Sequence, residues 1–512
     1  MKRLLSIALA AMMTMALCTG CGGSQEEASS AASQPASSGS STAAPTGSSE
    51  WPDIGSADAP VTVSLLIKDV LPTEEDVIEM EKVVEEKMAS HGQYIDLVIV
   101  EPPAGSYGTA VPLGLRTGEI DADIIYFQGG DLAIAQEGLL EDLTPYVEGS
   151  TFVKEIMLPV NEAQITNYPY LLWLEPARTP VPVMRKDWAE SLDSYAKLVE
   201  DPTVDNYYAL FKEMKDKGLV EYALTTDNAN NNGDGNLARI NSIFNQAFGV
   251  TATLVKQDGK WVFSKATEAE KNKLEFYAKL YAEGLLDPEY LTNTWDVMEQ
   301  KFYDGKAGMI AGNAGDTIKI YNDKMVSVQG TELVALPPAK GVAEGYSAVD
   351  TTKASRGFAI NAYSENKDAA WAFLEFMASP EGRILDKCGI EGKHYNIENN
   401  QIVFTDRFPE WWSRIHPTTN NFNPEPPLAE PIYSQAAQDS LTLSDQYYVE
   451  DVNVLVPEEL TAQWDAMKLL YDEYSADFVR GVKPLSEFDD FVAEWNAAGG
   501  DAFSEYLAGV LG

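Results

Sequence analysis

The sequence predicts an α/β protein built on a parallel sheet with helices on both faces, and three observations carry that expectation. Apolar runs of strand length alternate with helical spacing between Val61 and Phe127. No segment beyond the amino-terminal leader approaches the roughly 20 uninterrupted apolar residues that a membrane span needs. The 512 residues leave room for two or three proper cores.

Taken in order, Val61-Thr-Val-Ser-Leu-Leu-Ile67 reads as a strand, and Glu74 to Ser90 as a helix with Val77, Met80, Val84 and Met88 on one face. Ile95 to Val100 is a second strand, Ser106 to Arg116 a weaker helix interrupted by Pro112, and Asp121 to Phe127 a third strand stopped by Gln128-Gly129-Gly130. A β-α-β-α-β run implies a parallel sheet. Ligands of such sheets sit beyond the carboxyl ends of the strands, which places Tyr126, Phe127 and Gln128 near a cleft. Tyr195 to Lys217 and Leu237 to Phe248 read as helices, and Trp261-Val-Phe263 after Asp258-Gly259-Lys260 as a hairpin arm. Glu268 to Glu283 is helical and closed by Gly284. A helix over Val297 to Asp304 leads into the small-residue strand Gly305 to Gly312. Gly357 to Ile360 is another strand, Lys367 to Met377 a helix, and the last hundred residues are helical segments with proline-rich loops such as Asn423 to Pro431.

The amino terminus is a different kind of segment. Lys2 and Arg3 precede the apolar run Leu4 to Leu17, which has the pattern of a secretory signal. Thr19 and Gly20 stand before Cys21, and Gly22, Gly23 and Ser24 follow it. This resembles the lipobox of bacterial lipoproteins, whose cysteine is diacylated, although Cys18 stands where that pattern usually has Leu. The resemblance makes Cys21 the lipidation site. Residues 24–50 are Ser, Ala, Gly, Pro and Thr with a few acids, a composition that cannot bury enough apolar surface to fold and that reads as a flexible tether.

Composition excludes several function classes. There are 79 acidic against 37 basic residues, a formal net charge of −42, which argues against nucleic acid and against anionic membrane surfaces. Cys388 is the only thiol after Cys21, so the body has no disulfide framework and no Cys-rich zinc site. His91, His394 and His416 are the only histidines and lack metal-ligand spacing; no metal and no cofactor is expected.

Several stretches resemble one family, the extracellular solute-binding proteins of bacterial ABC importers, family 1, in the lipoprotein branch associated with sugars. They are Gly118-Glu-Ile-Asp-Ala-Asp-Ile-Ile125, Gly138-Leu-Leu-Glu-Asp-Leu-Thr-Pro145, Met184-Arg-Lys-Asp-Trp188, Tyr281-Ala-Glu-Gly-Leu-Leu-Asp-Pro288, Gly305-Lys-Ala-Gly308 and Cys388-Gly-Ile-Glu-Gly-Lys-His-Tyr395. They run in order along nearly the whole mature chain. The resemblance implies a periplasmic-binding-protein-like fold: two α/β lobes joined by hinge segments, with the ligand in the cleft between them. On that basis residues 1–20 are the signal peptide, 21–58 the lipidated cysteine and tether, 59–173 the first part of lobe 1, and 174–349 lobe 2. Residues 350–512 would return to lobe 1, with C-terminal helices packing across the hinge. Crossovers are expected around Leu174–Pro182 and Val342–Arg356.

A sugar presents apolar C–H faces and rings of hydroxyls, so its site needs aromatic platforms beside amides and carboxylates. Expected at loops and strand ends are Tyr126, Gln128, Trp173, Asp227, Asn228, Trp295, Asn313, Asp316, Arg356, Trp411 and Trp412. The glycines of the Gly305–Gly312 strand would let a ligand approach the backbone closely. Trp188 and Trp371 read as structural. Asn228-Ala-Asn-Asn-Asn-Gly-Asp-Gly235 imitates a calcium loop, but Arg239 stands where the bidentate Glu is required, so an exposed loop is the better reading. The expected function is that of a membrane-anchored extracellular lipoprotein that captures a carbohydrate, an oligosaccharide above all, and delivers it to permease subunits, without catalysis. A peptide or another solute is the alternative ligand. A secreted glycoside hydrolase is the rival enzyme, and no G-x-S-x-G, H-E-x-x-H or Cys/His pairing supports an enzyme.

Overall fold

The computed structural model describes residues 51–228, 237–353, 356–415 and 422–512. In chain order its strands are β1 (Val61–Leu66), β2 (Ile95–Val100), β3 (Ile124–Phe127), β4 (Pro180–Arg185), β5 (Tyr222–Leu224), β6 (Leu254–Gln257), β7 (Lys260–Phe263), β8 (Ala307–Asn313), β9 (Leu333–Ala335), β10 (Ala348–Val349), β11 (Gly357–Ile360), β12 (Tyr395–Glu398), β13 (Gln401–Phe404) and β14 (Val449–Glu450). Two four-stranded sheets organise them. The first has the order β11-β3-β1-β2, with β1 parallel to β2 and β3, and β11 antiparallel to β3. The second has the order β5-β8-β4-β9, with β5 and β8 parallel and β4 antiparallel to both neighbours.

Each sheet has its own core. Val63, Leu65, Val84, Ile99, Ile125, Phe358 and Phe373 lie in the first; Met184, Phe211, Leu224, Phe244 and Met309 lie in the second. Helix Glu75–Ser90 seats Val77, Met80, Val84 and Met88 on the first sheet, the face its spacing prescribed. Helix Lys367–Ala378 is buried all along, from Ala369 to Ala378. Pro112 does not break its helix, which runs from Tyr107 to Thr117.

Three differences from the sequence reading have physical causes. The single helix expected over Tyr195–Lys217 is two, Asp193–Glu200 and Val204–Asp216. Pro202 cannot continue the first, and Thr203 starts the second by accepting the Asn206 N–H at 3.2 Å. The final helices do not pack across the hinge: Met467, Tyr471, Phe478, Phe491, Trp495, Phe503 and Leu507 join the core of the second sheet. Their aromatic faces are completed by Phe263 of the β6–β7 hairpin, 5.8 Å from Trp495 and 5.3 Å from Phe503. The chain therefore crosses between the two halves a third time. Trp411 and Ile415 belong to the first core, whereas Ala436 and Ala437 pack with Val183 and Ile310 of the second.

The end of β3 is shaped for an opening. Gly129 and Gly130 both have left-handed backbones (φ 85° and 77°), and a Cβ on Gly130 would stand 2.6 Å from the Gly108 carbonyl. Only glycine allows that approach, and it brings the start of helix Tyr107–Thr117 against the strand end.

Candidate functional site

The carboxyl ends of β1, β2 and β3 face the first turn of helix Tyr107–Thr117. Lys68, Asp69, Pro102, Pro103, Ser106 and Gln128 are among the residues lining a cavity of about 500 Å³ there. Tyr107 fixes the wall by donating its hydroxyl to the Tyr126 carbonyl at 2.7 Å. Asp69 holds a left-handed backbone (φ 61°) although it is not glycine, a strained conformation of the kind that gathers at ligand clefts.

Beside Gln128 a cluster of charged and aromatic groups spans both halves. Tyr126 packs on Trp173 and Phe358, with ring centroids 6.4 and 5.2 Å away. Burial raises its phenol, while Arg356, Arg178 and a hydrogen bond with Gln128 oppose the shift. Glu175 and Arg178 lie on the first crossing, just after Leu174, the last residue of that stretch in the first core. Burial lifts the Glu175 carboxyl to about 7; Asp316 adds to the rise, and Lys387, Arg178 and Arg356 counter it. Burial and the neighbouring Arg356 draw the Arg178 guanidinium down to about 10.

The second half contributes from three helix starts. Asp316, at the head of helix Asp316–Gln329, meets Lys387 at 3.7 Å and accepts the Tyr433 hydroxyl at 2.8 Å. Lys387 belongs to helix Pro380–Cys388 of the first half, so this ion pair joins the two halves. Burial works against the Lys387 charge, but Asp316, Tyr433, Asp386 and Glu175 outweigh it, and its pKa is raised. Arg239 makes a bidentate pair with Asp227 at 2.8 and 3.0 Å and lies 4.3 Å over the Trp295 ring. Trp295 in turn packs on Tyr321 at 5.7 Å.

A cluster built from two sheets and their crossings offers polar and aromatic groups from both halves to one ligand. The family model described as bacterial extracellular solute-binding protein matches residues 73–384. The chain belongs to that family. Among curated relatives, the polygalacturonan/rhamnogalacturonan-binding protein YtcQ of Bacillus subtilis (strain 168) is 22% identical over 343 residues, covering 62% of this chain and 65% of that one, just under two thirds of its length. Among solved structures, the alginate-binding protein AlgQ2 without calcium ion superposes with a TM-score of 0.58 at 17% identity, covering 88% of this chain and 97% of that one. An extracellular solute-binding protein from Bifidobacterium longum subsp. infantis gives a TM-score of 0.62 at 14% identity, covering 88% and 98%. The fold is the two-lobed, periplasmic-binding-protein-like α/β fold of these proteins.

The candidate residues of this solute-binding protein fall into groups. Tyr126, Gln128, Trp173, Asp227, Trp295, Asp316 and Arg356 come together in and around the cluster. Trp295 opens helix Trp295–Tyr303 rather than sitting in a loop, because Thr294 caps that helix through the Val297 N–H. Asn313 is the last residue of β8, paired with Pro180. Asn228 is exposed, and its N–H donates to the Asn293 carbonyl at 2.9 Å; the rest of the asparagine-rich loop, 229–236, lies outside the described residues. So do Cys21 and His416.

Trp411 stands apart. It is 7% exposed in the first core, and its indole N–H donates to the Asp386 carbonyl at 2.8 Å. Arg414 is sandwiched between it and Trp412, 4.7 Å from each ring. Trp411 packs the fold, whereas Trp412 is exposed. The glycines of β8 also serve packing: a Cβ on Gly312 would meet the Tyr321 ring at 2.5 Å, and one on Gly308 the Met214 sulfur at 2.7 Å. What approaches the backbone there is protein, not open cleft.

Glu175, Arg178, Arg239, Lys387 and Tyr433 were missing from the sequence reading. A signal existed for the first two, since Glu175-Pro-Ala-Arg178 puts two charges inside an expected hinge. In the sequence Arg239 stands out only as the residue that spoils a calcium-loop pattern. Lys387 sits beside a family-like motif, and Tyr433 follows a proline-rich loop that carries no periodic signal.

Proposed function

We propose that this solute-binding protein is a lipid-anchored, extracellular receptor that captures a carbohydrate, an oligosaccharide above all, and passes it to the permease subunits of an ABC importer. One observation carries the reading. Groups from both lobes and from the crossings between them converge on one cluster, with Lys387 of the first lobe reaching Asp316 of the second at 3.7 Å. A ligand held there touches both lobes at once, so its binding free energy favours the closed form, as hinge-bending requires. The half-buried Trp295 ring beside carboxylates suits C–H faces and hydroxyls, as does the Gln128 amide at the cavity beyond β3; Tyr126 and Trp173 are buried in the first core and back the site from within the fold. YtcQ is named for binding polygalacturonan and rhamnogalacturonan and AlgQ2 for binding alginate, which supports a glycan over a peptide. Cys21 supplies the anchor, and residues 24–50 the tether. No helix among the described residues is long and apolar enough to cross a membrane. No residue is assigned a catalytic role.

The test is the melting temperature of the full-length protein in detergent against mono- and oligosaccharides and short peptides. A ligand confined to the folded form stabilises it by about 2.7 kcal/mol at a hundredfold excess over Kd. A sharp rise with one glycan class and no product on incubation is the expected result. A rise with peptides alone removes the sugar, and turnover of any compound removes the receptor reading.

A further inference from the structure

Residues 449–456 join helix Gln435–Tyr447 to helix Thr461–Arg480, and both helices pack in the second lobe. The stretch between them is therefore not a crossing, yet it touches both lobes. β14 lies parallel to β10 of the second crossing, pairing Val449 with Ala348 and Glu450 with Val349. The Tyr346 N–H donates to the Tyr447 carbonyl at 2.9 Å before this ribbon, and the Asp451 N–H to the Val349 carbonyl at 2.6 Å after it. Asn453 prolongs the attachment by donating its side-chain amide to the Asp350 carboxylate at 3.1 Å.

The second lobe holds the same stretch from the other side. Asp451 accepts the Thr253 N–H at 2.6 Å and the Thr253 hydroxyl at 2.8 Å, and the Leu254 N–H donates to the Val452 carbonyl at 2.9 Å. Ser347, Ala348 and Asp451 of the ribbon line a cavity of about 70 Å³ together with Asn241, Glu270 and Lys273 of that lobe. The ribbon thus meets the lobe through hydrogen bonds around a small polar cavity, not through an interdigitated apolar seam, and it can flex without repacking a core. Beyond it the side chains alternate. Val454 and Val456 pack on the core of the second sheet, and Leu455 between them packs on the core of the first, all three half-buried. Successive side chains of an extended chain point to opposite sides, which puts this segment between the lobes.

We propose that residues 449–456 are a strap that stabilises the closed arrangement of the lobes, with Leu455 as its positioning residue. This rests on the reading of the chain as a receptor that closes on its ligand. Leu455 meets the first core in the same arrangement that brings Lys387 of one lobe to 3.7 Å from Asp316 of the other. Apolar surface that parting of the lobes would return to water favours the arrangement that buries it. A ligand that selects the closed form gains apparent affinity from the strap without touching it.

The experiment measures the distance between the lobes in the unliganded full-length protein in detergent, by double electron–electron resonance. Nitroxide labels go on Leu113→Cys of the first lobe and Ile320→Cys of the second, both exposed positions on helices. Cys388 is buried and does not compete for label, and a control without the added cysteines accounts for any other thiol. The expected result is that Leu455→Ala lowers the ratio of the short distance to the long one about five- to tenfold, the effect of truncating a half-buried leucine. Asn453→Ala keeps the leucine, cuts the bond to Asp350 and should shift the ratio the same way. Val454→Ala and Val456→Ala should lower the melting temperature and leave the ratio unchanged, because those side chains pack on one lobe. A ratio that Leu455→Ala leaves as it is, or that all three truncations shift alike, overturns the strap and leaves the capture reading standing. A single distance that stays unmoved even by a glycan or peptide that raises the melting temperature overturns lobe closure itself, and the strap with it.

Discussion

Glu175 shows how one side chain carries the tension of the whole cleft. Its ordinary carboxyl value is 4.5, and in the folded protein burial lifts it to about 7. As pH rises between those values the unfolded chain releases the proton and the folded chain retains it, so stability falls through that window. Below it both states are protonated and the effect is absent; above it the effect is complete. Glu175→Gln should therefore raise the unliganded melting temperature at about pH 8 and leave it nearly unchanged at about pH 4, as a differential-scanning pair of measurements can check. A drop at the higher pH would mean that the carboxylate is needed by Lys387 more than burial penalises it. Burial likewise raises the Glu299 carboxyl to about 7 and that of Asp451 to about 6. Burial pushes the Cys388 thiol up to about 12, which makes it inert, and His394 accepts the Ile390 N–H at 3.0 Å in a turn that needs no charge.

At the scale of elements, motifs that resemble the family turn out to be joints. Asp287 of the Gly-Leu-Leu-Asp-Pro segment is fully buried and accepts from Thr225 at 2.7 Å, Asn293 at 2.8 Å and Lys301 at 2.9 Å. It ties β5, the loop before helix Trp295–Tyr303 and that helix together. Removing the cation strands a buried carboxylate, so Lys301→Met should cost about 3–5 kcal/mol in urea unfolding. A cost below about 1 kcal/mol would show that the hydroxyl and amide donors hold Asp287 by themselves. Arg185 likewise pairs with Asp187 at 2.6 Å and lies 4.3 Å over Trp188, whose ring packs beside Gly305. The Arg-Lys-Asp-Trp and Gly-Lys-Ala-Gly segments thus meet in space, two motifs forming one corner.

The whole molecule is a strongly charged body, and its net charge of −42 should be felt as self-repulsion. Raising the ionic strength from about 10 mM to about 150 mM shortens the screening length from about 30 Å to about 8 Å. The unliganded melting temperature should rise with it, in a plain salt titration. A steady fall would mean that local ion pairs such as Lys387–Asp316, Lys301–Asp287 and Lys353–Asp131 outweigh the long-range term. Three crossings join the lobes, and the third passes Tyr433, which donates to Asp316. That route gives the hinge a direct bond to the cleft.

By itself the sequence determined the local order of this protein. Periodicity fixed β2 and β11 to the residue and nearly fixed the helices after β1 and before β8, because alternation and helical spacing are properties of neighbours along the chain. Strand ends pointed for the same reason to the end of β3, where Gln128 lines the cavity and Tyr126 is buried. Only the tertiary structure decided the rest. It placed the last three helices on the second lobe, split the helix at Pro202, sent Trp411 into the core and filled the space above Gly312 with Tyr321. It also drew Glu175, Arg178, Arg356 and Lys387 together from positions scattered over some two hundred residues. Charge carries no periodic signature, and which charges meet depends on how two separate sheets and three crossings close on one another.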